Sequence, residues 1–264
     1  MTEINSVVCL KQVPDPEGPP SAFEIIPEER KVIARGIPPV INPDDENALE
    51  AALRLKDIHQ SKITVISLGQ ILSQAVLRKC LAVGADELVL LQDNAFEDLD
   101  SYSTAFIISA AIKKLGRYDL ILTGRQSADW GNAETGCGIA EFLGIPCITL
   151  ARKIELADGK LRVERIVPDG YQVIEAPLPA VVTVTSALGN LRTATLPSIK
   201  AARNKPVTIW DAEYVGVNPS ELRRTKLVRL FAPVREVACQ LVEGETPEEA
   251  GVNLALKLRE AKII

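Results

Sequence analysis

Asp119-Leu120-Ile121-Leu122-Thr123-Gly124-Arg125-Gln126-Ser127-Ala128-Asp129-Trp130-Gly131-Asn132-Ala133-Glu134-Thr135-Gly136 reads as a buried strand, a glycine-bearing loop and the start of a helix. Asp119–Thr123 is an apolar run without alternation, the pattern of a strand covered on both faces. The loop Gly124–Gly131 leads to a helix expected near Asn132–Leu143. Glycines let the backbone approach a ligand, and the free N–H groups near Ala133–Thr135 can hold a phosphate. An ordinary strand-to-helix connection capped by Asn132 reads equally well from these residues.

Working outward, the same unit repeats. Val7–Val13 is a first strand, Ile63–Ser67 a second, Glu87–Leu91 a third and Cys147–Leu150 a fifth, with Asp119–Thr123 the fourth. Helices fall between them: one opening at Asn42-Pro43, one ending near Val83, and Ser101–Leu115. Asn42 suits an N-cap, Pro43 the first helical position, and Asp44 and Asp45 the positive end of the dipole. Leu49, Ala52, Leu53 and Lys56 keep helical spacing, so one face packs on a sheet. A short hairpin, Phe23–Ile26 with Lys31–Ala34, is inserted after the first strand. After Leu150 the rhythm shortens to Lys153–Leu156, Leu161–Ile166, Gln172–Glu175 and Ala180–Thr185, expected to be antiparallel. From Leu191 the chain is irregular, with helices near Pro197–Arg203 and Pro247–Ala261. The fold class expected is α/β: a doubly wound, mostly parallel sheet, order 3-2-1-4-5, with helices on both faces. Antiparallel strands and an extended C-terminal arm are added to it. The arm lacks the apolar density of a separate domain, so it lies on another subunit or folds back on its own.

Composition narrows the function classes. The 264 residues are 47% hydrophobic and 25% charged, enough to bury a core, and the net charge of −5 gives no field for nucleic acid phosphates. Neither a Walker A sequence nor G-x-G-x-x-G occurs. His59 is the only histidine, which disfavours a zinc site or a Ser-His-Asp triad. Five scattered cysteines, Cys9, Cys80, Cys137, Cys147 and Cys239, suit reduced, buried thiols. No cationic leader opens the chain and no apolar run approaches the roughly 20 residues that cross a bilayer, so a cytoplasmic location without membrane insertion is expected.

In a doubly wound sheet, ligands bind beyond the carboxyl ends of the strands where their order reverses. That places the first and fourth strand ends, Cys9 and Lys11 with Gly124 and Arg125, at one crevice. The acids of Asn42-Pro43-Asp44-Asp45 suit sugar hydroxyls or an exocyclic amine, unless they only cap the helix.

Several blocks then resemble the electron-transfer flavoprotein β family, in the family's order over about 200 residues. They are Val8-Cys9-Leu10-Lys11-Gln12-Val13-Pro14-Asp15, the run from Ile41-Asn42-Pro43-Asp44-Asp45-Glu46-Asn47 to Lys56, and Ala82-Val83-Gly84-Ala85-Asp86. Gly124-Arg125-Gln126, Leu178-Pro179-Ala180-Val181-Val182-Thr183 and Ala194-Thr195-Leu196-Pro197-Ser198-Ile199 complete the set. The resemblance implies a heterodimer with an α subunit that holds FAD. The β subunit binds FAD in the electron-bifurcating branch, which this sequence resembles more, or structural AMP in the other. In a bifurcating complex NADH would reduce the β-site FAD, with one electron passing toward the α-subunit flavin and the other to ferredoxin.

The candidate cofactor contacts at the first strand are Cys9 and Lys11; at the first helix, Asn42, Pro43, Asp44 and Asp45; at the second strand, Ser67, Leu68 and Gly69. The loop adds Gly124, Arg125, Gln126, Ser127 and Asp129, and the following helix start adds Asn132, Ala133, Glu134, Thr135 and Gly136. Leu196 is the position at which the family docks a partner dehydrogenase. The sequence departs from the family at Asp129-Trp130-Gly131-Asn132, at Glu134 and at Leu188-Gly189-Asn190-Leu191-Arg192. Residues 1–192 are expected to form the nucleotide- or flavin-binding α/β domain, and 193–264 the docking loop and arm. Two rival readings share the topology. An ATP-using ligase wants Ser or Gly after the first strand, which Lys11-Gln12-Val13-Pro14-Asp15 lacks; a nucleotide-sensing homodimer has no use for the long arm.

Overall fold

A computed structural model of the chain describes residues 3–157, 159–233 and 239–264. In chain order the elements begin with β1 (Ile4–Cys9), β2 (Gln12–Pro14), β3 (Phe23–Ile26), β4 (Lys31–Ala34) and β5 (Pro39–Ile41). Next come α1 (Pro43–Ile58), β6 (Ser61–Gly69), α2 (Gln74–Leu77), α3 (Lys79–Val83), β7 (Glu87–Gln92) and α4 (Ser101–Leu115). The middle of the chain holds β8 (Leu120–Gly124), α5 (Thr135–Leu143), β9 (Cys147–Ala157), β10 (Lys160–Val167), β11 (Gly170–Ala176) and β12 (Ala180–Val184). The last part holds α6 (Leu196–Ala202), β13 (Val207–Trp210), α7 (Ala212–Val215), α8 (Pro219–Leu222) and α9 (Pro247–Glu260).

The main sheet has the order β11-β10-β9-β12-β8-β1-β6-β7-β13. The α/β class stands, and β7-β6-β1-β8 reproduces the expected 3-2-1-4. The fifth strand does not follow. Ala180–Val184, expected among the antiparallel strands, runs parallel and inserts between β8 and β9, with Val181 opposite both Ile121 and Cys147. All five of its residues are buried, the mark of a strand covered on both faces.

Further details differ from the expectations. Cys147–Leu150 and Lys153–Leu156 form one strand, β9, bent where Leu150 takes φ 61° and its N–H donates to Thr183 Oγ1 at 3.1 Å. Val7–Val13 is not one strand: the chain leaves the sheet after Cys9, and Gln12–Pro14 pairs with β5 in a separate ribbon. β13, absent from the sequence reading, adds a parallel edge beside β7. Of the cysteines, Cys9 and Cys80 are buried, but Cys137, Cys147 and Cys239 are exposed.

Period-two alternation divides the core between the two faces. Leu120 and Leu122 point toward α1 with Val8, Leu49, Leu53, Leu88 and Leu90. Ile121, between them, points toward α4 and α5 with Val7, Ile66, Ile107 and Ile139. No described helix is long and apolar enough to cross a membrane. In contrast to this core, α9 buries none of its residues, and Val252, Leu254 and Leu256 are each about half exposed.

Leu49 is fully buried between α1 and the sheet, so Leu49→Ala removes contacts on every side. Urea unfolding should show a loss of about 2–5 kcal/mol, with an unchanged slope.

Candidate functional site

β1 and β8 are neighbours in the sheet, and their carboxyl ends diverge over the start of α1. Asp45, 7% exposed, fills the point of divergence. Its Oδ2 accepts the N–H of Lys11 at 2.7 Å and its Oδ1 accepts the N–H of Gly124 at 3.0 Å. One carboxyl group thus satisfies two backbone donors that the parting strands leave unpaired. A Cβ on Gly124 would stand 2.4 Å from Asp45 Oδ1 and 2.6 Å from the Asp44 carbonyl carbon. Gly124 is therefore required by the close approach of α1 to β8.

Burial raises the Asp45 carboxyl from 3.8 to about 7, against the opposing pull of the Lys11 and Gly124 N–H groups and of Asn42. Burial also pushes the Cys9 thiol far up, and Asp45 adds to the effect, so Cys9 remains a neutral thiol. It can touch a ligand without acting as a nucleophile.

Asn42 does not cap α1 through its side chain. Its Nδ2 donates to the Gln126 carbonyl at 2.8 Å, and its Oδ1 accepts the Ala128 N–H at 2.9 Å, which pins the loop after β8. Lys11 Nζ reaches Asp129 at 2.6 Å across the same mouth. Arg125 Nε lies 3.6 Å from Asp44. The loop turns at Gly131 and Ala133, with φ of 65° and 57°, before α5 starts at Thr135 rather than at Asn132. Asn132, expected as a cap, instead donates to Ser101 Oγ at 2.9 Å. Glu134 occupies the cap position without a side-chain cap bond, so the first-turn amides of α5 remain open to solvent or a ligand. At Gly136 a Cβ would meet Thr183 Cγ2 at 2.6 Å and Thr123 Oγ1 at 2.7 Å, so α5 sits directly on the tips of β8 and β12.

Around these groups lies a cavity of about 620 Å³, within the range of roughly 300–1,000 Å³ usual for cofactor sites. Of the residues singled out from sequence, Cys9, Lys11, Asp45, Leu68 and Gly69 line it. So do Gly124, Arg125, Gln126, Ser127 and Asp129, and from Asn132 through Gly136 every residue does. Asn42, Pro43, Asp44 and Ser67 do not line it.

The sequence reading missed the opposite wall. Leu10, Phe96, Leu99 and Ile108 give it an apolar floor, and Arg30, Arg223, Thr225 and Lys226 form its rim. The rim is held by Asp100, the N-cap of α4, which accepts the N–H groups of Arg224 at 2.7 Å and Thr225 at 2.8 Å. Burial acts to raise the Asp100 carboxyl, but bonds from Ser103, Arg224 and Thr225 hold it well below the usual carboxylate range. Asp100-Ser101 could have been read as a helix start, but its tie to the arm spans more than 120 residues and left no local signal.

The family model described as the electron transfer flavoprotein domain matches residues 30–214. A protein named electron transfer flavoprotein subunit beta, from Clostridium acetobutylicum, is 42% identical over 266 residues, covering 99% of this chain and all of the relative. The caffeyl-CoA reductase-Etf complex subunit CarD of Acetobacterium woodii is 38% identical, covering 98% of this chain and 99% of the relative. Protein FixA of Azotobacter vinelandii is 34% identical over 91% of this chain and 89% of its own length.

Two substitutions test the construction of the site. Asp45→Asn leaves an amide nitrogen facing one of the two backbone donors and should cost about 1–3 kcal/mol. Because the folded chain holds the Asp45 proton up to about pH 7, its stabilising contribution is complete below pH 3.8 and lost as pH rises through about 7. The stability gap between wild type and Asp45→Asn should therefore narrow over that window in urea unfolding. Gly124→Ala should destabilise more than Gly251→Ala, since a Cβ at Gly251 meets nothing within 4 Å and its backbone is not in the left-handed region.

Proposed function

The chain belongs to the electron transfer flavoprotein family, among its β subunits, and from that premise we propose that it works by electron bifurcation with FAD bound in its own cavity. The observation carrying this reading is the cavity itself, whose walls run from the open amides of α5 to Arg223 and Lys226 of the arm. An adenosine half placed at the β1–β8 crevice would have protein on which the rest of a dinucleotide could lie. Bound FAD would supply hydride acceptance and one-electron transfer.

The chain's own groups have separable tasks in this proposal. The first turn of α5, from Thr135, together with Ser127, Gln126 and Arg125, would hold the phosphates, where free N–H groups and a cation favour negative charge. Asp45 and Asn42 would hold the crevice open at a fixed width, through the backbone of Lys11, Gly124 and Ala128. Leu68, Phe96, Leu99 and Ile108 would exclude water from one wall. The Lys11–Asp129 pair closes the mouth; with side chains 41% and 26% exposed, it is screened and can part at little cost to admit a ligand.

The partners proposed are an α subunit, NADH or an acyl-CoA-type dehydrogenase, and ferredoxin as a further acceptor, in the cytoplasm. The caffeyl-CoA reductase complex named for one relative supports an assembly of this kind. Residues 1–192 would supply most of the cofactor site, with Arg223, Thr225 and Lys226 completing its rim, and the rest of 193–264 would dock. The arm supports the α-subunit interface: Val228 and Leu241 are each 82% exposed, and α9 leaves its leucines uncovered. Leu196 opens α6, which is fixed by a capping box between Thr195 and Ser198. At 77% exposure on a rigid turn, Leu196 suits a docking anchor.

Acid extraction and chromatography of the purified heterodimer should recover FAD from this chain in addition to that of its α partner. Recovery of AMP in its place would select the non-bifurcating alternative. Leu196→Ala should slow electron exchange with the dehydrogenase at least tenfold, about 1.4 kcal/mol or more, while cofactor content stays unchanged. Stopped-flow flavin absorbance reads both.

A further inference from the structure

We propose that Cys137 and Cys147 form an oxidisable dithiol at the edge of the cofactor cavity, closing to a disulfide on exposure to a peroxide. Cys137 lies in the first turn of α5, immediately after the cavity-lining Gly136, and Cys147 is the first residue of β9. Their sulfurs are 4.0 Å apart and both residues are exposed. A short connector, Gly144-Ile145-Pro146, joins the two elements, and β12 holds the start of β9 in register through Cys147 and Val181. The two thiols are thus presented to one another by fixed secondary structure, not by mobile loops. The function proposed above uses neither.

Oxidation proceeds in two balanced steps. The Cys137 thiol attacks one oxygen of hydrogen peroxide, forming an S–O bond, breaking the O–O bond and releasing water. Cys147 sulfur then displaces the sulfenic hydroxyl, which leaves as a second water carrying the Cys147 proton. The sulfurs must close from 4.0 Å to about 2.05 Å. Gly136 is jammed against Thr123 and Thr183, so the shift falls on the side chains and on the connector before β9. Bridging would tie the first turn of α5 to the sheet beside the cavity.

The test uses the full chain in its complex with the α subunit. Native protein is treated with hydrogen peroxide, free thiols are blocked with N-ethylmaleimide, and a non-reducing digest is read by mass spectrometry. The expected result is a Cys137–Cys147 linked peptide, lighter by about 2 Da than the sum of its reduced parts and restored by dithiothreitol. Cys147→Ser should leave Cys137 as a sulfenic acid that dimedone captures. Both cysteines alkylated after peroxide, or Cys137 oxidised to sulfinic acid without a bridge, would overturn the proposal. So would a bridge from either one to Cys239.

Discussion

The carboxyl group of Asp45 stands where two parallel strands part, and it accepts one backbone N–H from each. Those donors, on Lys11 and Gly124, are 2.7 and 3.0 Å away in a position that no third strand can serve. Leaving either unpaired in the interior would cost about 1–3 kcal/mol. The residues around this contact are constrained by it. Gly124 has no side chain because Asp44 and Asp45 lie where a Cβ would go. Pro43 starts the helix that carries Asp45, and Asn42, one residue earlier, turns its amide to the loop instead of to the helix. The crevice beyond the strands is thus as wide as this contact makes it.

The helix begun at that point also anchors the region before the proposed docking residue. Further along α1, Asn47 donates to the Gly189 carbonyl at 2.7 Å and Arg54 to the Leu188 carbonyl at 2.8 Å. Glu50, with a side chain only 6% exposed, pairs with Arg192 at 3.1 Å, and Arg192 also reaches Asp57 at 2.7 Å. Burial works to raise the Glu50 carboxyl, but the bonds from Arg192 and Arg54 outweigh it and lower it. The pairing therefore stabilises the fold at neutral pH and fades as acid protonates Glu50. The crevice and the segment before Leu196 are thus both fastened to α1, which gives them a common frame.

The sequence disclosed the fold class because apolar runs such as Leu120–Thr123 and Val7–Cys9 carry their own signature of burial on both faces. It did not disclose where β12 goes. That strand follows three antiparallel strands in the chain, and only tertiary pairing sends it back between β8 and β9. β13 was invisible for a different reason: as a half-exposed edge of four residues it has little apolar density. At the site, residues on strand ends and on the loop after β8 were legible because topology alone brings strand ends together. Arg223, Thr225 and Lys226 were not, since they reach the cavity through Asp100, a bond that no local pattern announces. The family resemblance was legible from separated blocks in the right order, and similarity across nearly the whole chain agrees with it.

A structure of the heterodimer determined with its native cofactor tests the central claim most directly. The account predicts density for an adenosine moiety between Gly124 and Leu68, with phosphate against the first turn of α5 and the Asp45 contacts intact. Side chains of the α subunit filling that crevice, with the nucleotide bound elsewhere, would contradict it.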